Sequence, residues 1–101
     1  MHTSKPKSPA LSAIETAEAT QRYMSNLRRT LRRQSQPGDP EREALLRAAL
    51  HEQADSMSQV RGLMAKLQWE TVRLAEPQEK RLRLVAKKLA AERRQIKKMM
   101  R

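Results

Sequence analysis

The stretch from Gln36 to Glu41, QPGDPE, constrains the fold of this 101-residue chain more than any other. A glycine following proline ends a helix, whereas Asp-Pro-Glu starts one: aspartate accepts hydrogen bonds from free backbone N–H groups, proline suits the first helical position, and glutamate lies near the positive end of the helix dipole. The chain contains only two glycines and five prolines, so few other breaks are available. We therefore predict a helix boundary here.

The segments on either side of this break consist largely of helix-forming residues. Alanine, leucine, methionine, glutamate, glutamine, lysine and arginine dominate, phenylalanine is absent, and the β-branched and aromatic residues that favour strands are scarce. Pro77 predicts a second boundary because it lacks an N–H group and disfavours helix at the preceding residue. We predict an all-α fold with a flexible N-terminus at residues 1–8 and a single helical domain at 9–101, whose helices cover about 9–35, 40–75 and 78–100.

Apolar residues in the second segment recur at alternating steps of four and three, which is a heptad pattern. A helix of about 35 residues is about 50 Å long, more than one small core buries. We therefore expect an elongated three-helix arrangement, an antiparallel hairpin plus a basic C-terminal helix, completed by self-association. The predicted interface residues are Leu46, Leu50, Met57, Val60, Met64 and Leu67 on the seam, and Trp69 beside it.

The net charge of +11 favours a polyanionic partner, and it is unevenly distributed. Residues 1–36 carry seven basic and two acidic side chains, residues 37–77 carry five and seven, and residues 78–101 carry ten and two. The middle helix is therefore close to neutral, and the excess belongs to the first and third helices.

Within those two helices the cations share a face. On the third helix a stripe about 60° wide is predicted from the helical period. Cations near a helix C-terminus also offset the helix dipole, and a solvated charged face is the alternative interpretation, but the dipole effect is confined to the last turn whereas this stripe runs the length of the helix. The predicted nucleic-acid-binding residues are Lys80, Arg83, Lys87, Arg94, Lys98 and Arg101 on the third helix, and Arg22, Arg29 and Arg33, flanked by Arg28 and Arg32, on the first.

These patterns predict a small basic helical accessory protein that binds the phosphate backbone of RNA or DNA with little base specificity, as a subunit of a nucleoprotein complex or a factor of a phage or mobile element. Arginine favours phosphate because its guanidinium donates two parallel hydrogen bonds, and two aromatic residues are too few for base stacking. The alternative is a coiled-coil adaptor or inhibitor that docks its basic faces on an acidic protein. Binding to a membrane surface is disfavoured because residues 78–101 lack aromatic anchors.

The sequence offers little for catalysis. The absence of cysteine excludes disulfides, thiol catalysis and cysteine-ligated zinc, and it suits the reducing cytoplasm, where we expect the protein. No secretory signal or membrane-spanning stretch is evident. Neither glycine belongs to a phosphate-binding loop. We predict no catalytic residues, no metal site and no cofactor, and we do not expect an enzyme.

Overall fold

The computed structural model describes residues 8–34 and 36–100, which form helices α1 (Pro9–Gln34), α2 (Pro40–Gln68) and α3 (Glu76–Met99) and no strand. The predicted all-α, three-helix fold is confirmed. Of the predicted flexible segment 1–8, only Ser8 is among the described residues. Its hydroxyl caps α1 by accepting a hydrogen bond of 3.1 Å from the backbone N–H of Leu11.

The first turn follows the prediction. The Asp39 side chain accepts a hydrogen bond of 3.0 Å from the Glu41 N–H, and α2 begins at Pro40. Gly38 has a φ of 89°, a left-handed conformation that glycine adopts without steric cost. Local chemistry therefore sets this boundary, and residue 35, the predicted limit of α1, lies outside the described residues.

The predicted end of α2 at residue 75 is wrong, because the helix stops at Gln68. Glu70 has a φ of 60°, its N–H donates to the Leu67 carbonyl at 3.1 Å, and the Thr71 N–H donates to the Lys66 carbonyl at 2.9 Å. These two bonds form a Schellman motif, in which the left-handed position is usually glycine. A glutamate at that position left no sequence signal for the stop.

The third helix begins at Glu76, two residues earlier than predicted. Ala75 precedes it, and the Ala75 N–H donates to the Gln78 side-chain oxygen at 3.4 Å. Pro77 lies in the first turn, where its missing N–H costs nothing. The proline therefore opens α3 rather than ending α2.

Helices α1 and α3 run parallel. Two ion pairs join them at nearly the same sequence separation: Arg28 with Glu92, 64 residues apart, and Glu18 with Arg81, 63 residues apart. A constant separation along both helices requires the same direction. Each residue of α1 therefore faces a level of α3 about 63 positions further along the chain.

Helix α2 runs antiparallel to both neighbours. Its Arg42 contacts the Met99 carbonyl of α3, whereas its Gln53 contacts the Leu89 carbonyl, so the α3 number falls as the α2 number rises. With α1 the short turn at residues 36–39 forms the predicted antiparallel hairpin. The elongated arrangement is confirmed, with a longest axis of 49 Å.

Each helix contributes one apolar stripe to a core that runs between all three. None of its largest fully buried side chains exceeds 1% exposure. They are Ile14 and Met24 of α1, Leu46 and Val60 of α2, and Leu82, Leu89 and Ile96 of α3.

The buried face of α2 departs from the predicted seam. Ala49, Ser56 and Leu63 are buried, whereas Met64 is 39% exposed and Leu50 is only partly buried. Helix α2 packs against α1 and α3 at once, so its buried face is wider than a single heptad seam and includes small residues beside it.

The other predicted interface residues differ in burial. Leu46, Met57 and Val60 are buried within the chain, Leu67 is partly buried, and Trp69 is 76% exposed. Helices α1 and α3 therefore cover only part of the seam, and the predicted self-association stays a prediction.

Candidate nucleic-acid interface

The basic last turns of α1 and α3 lie at the same end of the bundle. Arg32 and Arg33 are in the last turn of α1, and Lys97 and Lys98 are in the last turn of α3. Because the two helices are parallel, these turns are neighbours in space, although more than 60 residues separate them in the chain. We call the six exposed cations in the last two turns of these helices the basic end: Arg29, Arg32, Arg33, Arg94, Lys97 and Lys98.

A buried arginine joins the two turns. Arg42 of α2 is 7% exposed, and its guanidinium donates to the Leu31 carbonyl of α1 at 3.3 Å and to the Met99 carbonyl of α3 at 3.4 Å. Carbonyls at helix C-termini carry partial negative charge, which a cation stabilises. One side chain therefore fixes the relative position of the two basic turns.

Arg28, a predicted phosphate ligand, is engaged inside the fold. Its Nε and Nη2 donate to the Glu92 carboxylate at 2.7 and 2.8 Å, and the two side chains are 17% and 7% exposed. The hydrogen bond to Glu92 raises the pKa of Arg28 above its ordinary value, against an opposing effect of burial. Arg28 connects α1 to α3 and does not belong to the exposed cationic surface.

The predicted α3 stripe is exposed, but its two ends differ. Near the start of the helix Arg83 pairs with Glu79 at 2.6 Å and Lys80 pairs with Glu76 at 3.5 Å. The remainder of the stripe forms no ion pair with any described acid. These unpaired residues are Lys87, Arg94 and Lys98, while the predicted Arg101 lies outside the described residues.

The predicted α1 cations other than Arg28 are exposed and form no ion pair with a described acid: Arg22, Arg29, Arg32 and Arg33. Arg29 donates to the Ser25 hydroxyl at 3.3 Å and to the Asn26 side-chain oxygen at 3.2 Å, contacts that orient the guanidinium without neutralising it. Glu41 and Glu43, in the first turn of α2, also lie at this end, but neither pairs with these cations. The basic end therefore presents six exposed cations that form no ion pair with a described acid.

Sequence reasoning missed several structural features of this region. Lys97 is exposed in the last turn of α3, yet it falls outside the 60° stripe, which selected only one line of cations. Arg93 donates to the side-chain oxygen of the buried Gln53 at 3.2 Å, and Gln53 donates to the Leu89 carbonyl at 3.2 Å. The sequence carried no signal for these contacts, because they depend on which helix levels meet.

A second ion pair joins α1 and α3 nearer their N-termini. Arg81 donates to the Glu18 carboxylate through Nε and Nη2. The hydrogen bond from Arg81 is the main reason that the pKa of Glu18 lies below its ordinary value. With the Arg28–Glu92 pair, this contact fixes the parallel register.

The described part of the chain holds no group of three or more residues able to ligate a metal, and none of its helices is both long and apolar enough to cross a membrane. Comparison with protein-family models, with curated proteins and with solved structures finds no match to this chain.

Proposed function

We propose that this protein is a small, non-catalytic nucleic-acid-binding accessory protein that contacts the phosphate backbone of RNA or DNA with little base specificity. The proposed role is that of a subunit of a nucleoprotein complex or a factor of a phage or mobile element. The observation that carries the proposal is the convergence of two basic last turns on parallel helices, Arg32–Arg33 and Lys97–Lys98, joined by the buried Arg42.

The electrostatics of the basic end support a polyanionic ligand. Like charges at i,i+4, such as Arg29 with Arg33 and Arg94 with Lys98, repel each other by a few tenths of a kcal/mol. A phosphate backbone removes that repulsion and releases its own counterions, so binding is favourable at low salt and weakens as salt rises. Guanidinium groups add bidentate hydrogen bonds to phosphate oxygens.

The position of the tryptophan supports low base specificity. Tyr23 and Trp69 are exposed by 44% and 76%. Trp69 follows the C-terminus of α2, whereas the basic end lies at the N-terminus of α2, so a base stacked on Trp69 is remote from the cations. Helix α3 packs on both other helices rather than projecting freely into a groove, which further favours contact with the backbone over base edges.

Fluorescence anisotropy with a labelled duplex, a single strand and a structured RNA of matched length, at several salt concentrations, tests the proposal. The Arg94→Gln/Lys98→Gln variant removes two unpaired cations of the basic end, and we expect the slope of log affinity against log salt on a duplex to fall by about 2. The matched control is Lys80→Gln/Arg83→Gln, which removes the same charge from the part of the stripe that Glu76 and Glu79 already neutralise. The slope of log affinity against log salt should change less for this control than for Arg94→Gln/Lys98→Gln.

Circular dichroism melting of both variants separates binding from folding, because Lys98 also offsets the α3 dipole by about 0.3–1 kcal/mol. Equal slopes for the two variants would show that the basic end is not the binding surface. Negligible binding at about 0.1 M salt, where distant exposed charges are screened, would refute the proposal and favour an acidic protein as the partner.

A further inference from the structure

A continuous groove runs along the outer face between α2 and α3. Three adjoining cavities form it: Arg61 lines the first and second, and Ala54 and Arg93 line the second and third. No residue of α1 lines any of them. Along α2 the groove extends from Arg47 to Gln68, which is about 30 Å at 1.5 Å per residue. We call it the α2–α3 groove.

The floor of the groove is apolar in its two end cavities and incompletely covered, whereas the middle cavity is lined mostly by polar side chains. Leu50, Met57, Met64, Leu67 and Leu82 line it, and Met64 is 39% exposed. Methionine side chains adapt readily to different partners. Trp69, 76% exposed, follows directly after Gln68 at one end of the groove. In a four-helix bundle such a strip between two helices is covered by another helix.

The rim of the groove is basic. Arg47 and Arg61 of α2 form no ion pair with a described acid, and Arg93 of α3 donates to the Gln53 side-chain oxygen. The one acid that lines the groove, Glu79, is paired with Arg83. An incoming helix therefore needs acidic residues on both sides of its apolar stripe.

The same charges argue for the identity of the occupant. A second copy of this chain carries +11, so it would bring like charge to a rim that is already positive. A nucleic acid matches the rim but leaves the apolar floor without a partner. We propose that the α2–α3 groove binds an acidic amphipathic helix of a different protein, which becomes the fourth helix of the bundle. This site is separate from the basic end and does not depend on nucleic-acid binding.

The test uses the full chain and a labelled synthetic helix of about 20 residues, the length of the groove, with leucine at heptad positions a and d and glutamate at e and g. A scrambled peptide of identical composition keeps the charge but has no apolar face. We expect the ordered peptide to bind at least about tenfold more tightly than the scrambled one in anisotropy titrations. Binding should also change the fluorescence of Trp69, the only tryptophan.

Three variants locate the binding surface. Arg47→Glu/Arg61→Glu should weaken binding of the ordered peptide by about tenfold, because two attractive contacts at the rim become repulsive. Arg22→Glu/Arg29→Glu makes the same charge change on α1 and should leave the affinity within about threefold. Met64→Gln makes the exposed floor more polar without changing the charge. It should weaken binding of the ordered peptide and leave binding of the scrambled peptide unchanged.

Equal affinity for ordered and scrambled peptides would show non-specific charge attraction and overturn the inference. An equal loss of peptide affinity in the α1 and groove variants would also overturn the inference, as would a lack of detectable peptide binding. The salt dependence of nucleic-acid binding, compared between the Arg94→Gln/Lys98→Gln and Arg47→Glu/Arg61→Glu proteins, distinguishes failure of one proposal from failure of the other.

Discussion

The bidentate pair between Arg28 and Glu92 provides a direct test of the parallel α1–α3 packing. Replacing either residue by methionine removes the pair but keeps a side chain of similar length. Removing one partner leaves a charge in a position where the side chains are only 17% and 7% exposed. A charge in that setting loses its hydration without gaining a partner.

The expected magnitudes follow from that burial. Breaking a buried ion pair costs about 3–5 kcal/mol, whereas replacing both partners by apolar residues is close to neutral. The exposed fraction of Arg28 admits water, so Glu92→Met, which leaves the arginine, should cost about 2–3 kcal/mol. Arg28→Met leaves the more deeply buried carboxylate and should cost about 3–4 kcal/mol. The double variant should lose about 1 kcal/mol or less.

Urea unfolding followed by circular dichroism gives the four free energies of unfolding needed for a double-mutant cycle. The exposed Arg83–Glu79 pair, at 2.6 Å with side chains 68% and 37% exposed, is the matched control. Its coupling free energy should be about 0.5 kcal/mol or less, because water already hydrates both charges. If the Arg28 and Glu92 substitutions prove additive, the two helices do not meet at this level and the parallel register is wrong.

Four further outcomes are expected. Gly62→Ala should raise the free energy of unfolding by about 1 kcal/mol, because Gly62 is helical and a Cβ there meets no atom within 4 Å. Glu70→Gly should stabilise by about 0.5–1 kcal/mol in urea unfolding, because it relieves a left-handed φ of 60°; a loss would contradict the Schellman motif. Ser56→Ala should raise the melting temperature, since its hydroxyl is buried and has no hydrogen-bond partner among the described residues. The pKa of Glu18 is lowered mainly by Arg81, so this pair adds stability above pH 4.5, the ordinary pKa, and loses it as pH falls through the lower folded-state pKa. Glu18→Gln should therefore be less stable than the parent near neutral pH and converge with it in acid; a difference independent of pH would refute this linkage.

The features that the sequence predicted well are those encoded by neighbouring residues. The turn at Gly38 and the cap at Asp39 depend on the conformational preferences of single residues and on a bond to the next turn. Helix formation and the exposure of the α3 stripe follow from composition and period. These local signals do not depend on how the rest of the chain packs.

The features that could not be predicted depend on the other helices. Ala49 and Ser56 are buried because α2 is close to two neighbours, while the larger Leu50 and Met64 remain partly or largely exposed. The hydrophobic pattern alone predicted that the larger side chains would be the buried ones. The convergence of the basic turns depends on the parallel register of α1 and α3, which no local sequence signal specifies.

The parallel packing of α1 and α3 also implies an order in which the helices assemble during folding. The contacts between α1 and α2 close a short turn, whereas the Arg28–Glu92 contact joins residues 64 apart and requires α2 to be in place. Contacts at larger sequence separation carry a larger loop-closure cost and form later. Loss of Glu92 should therefore accelerate unfolding and leave the folding rate almost unchanged. A nascent chain that has formed only the hairpin presents the α1 arginines alone, so the complete basic end exists only after the last helix has docked.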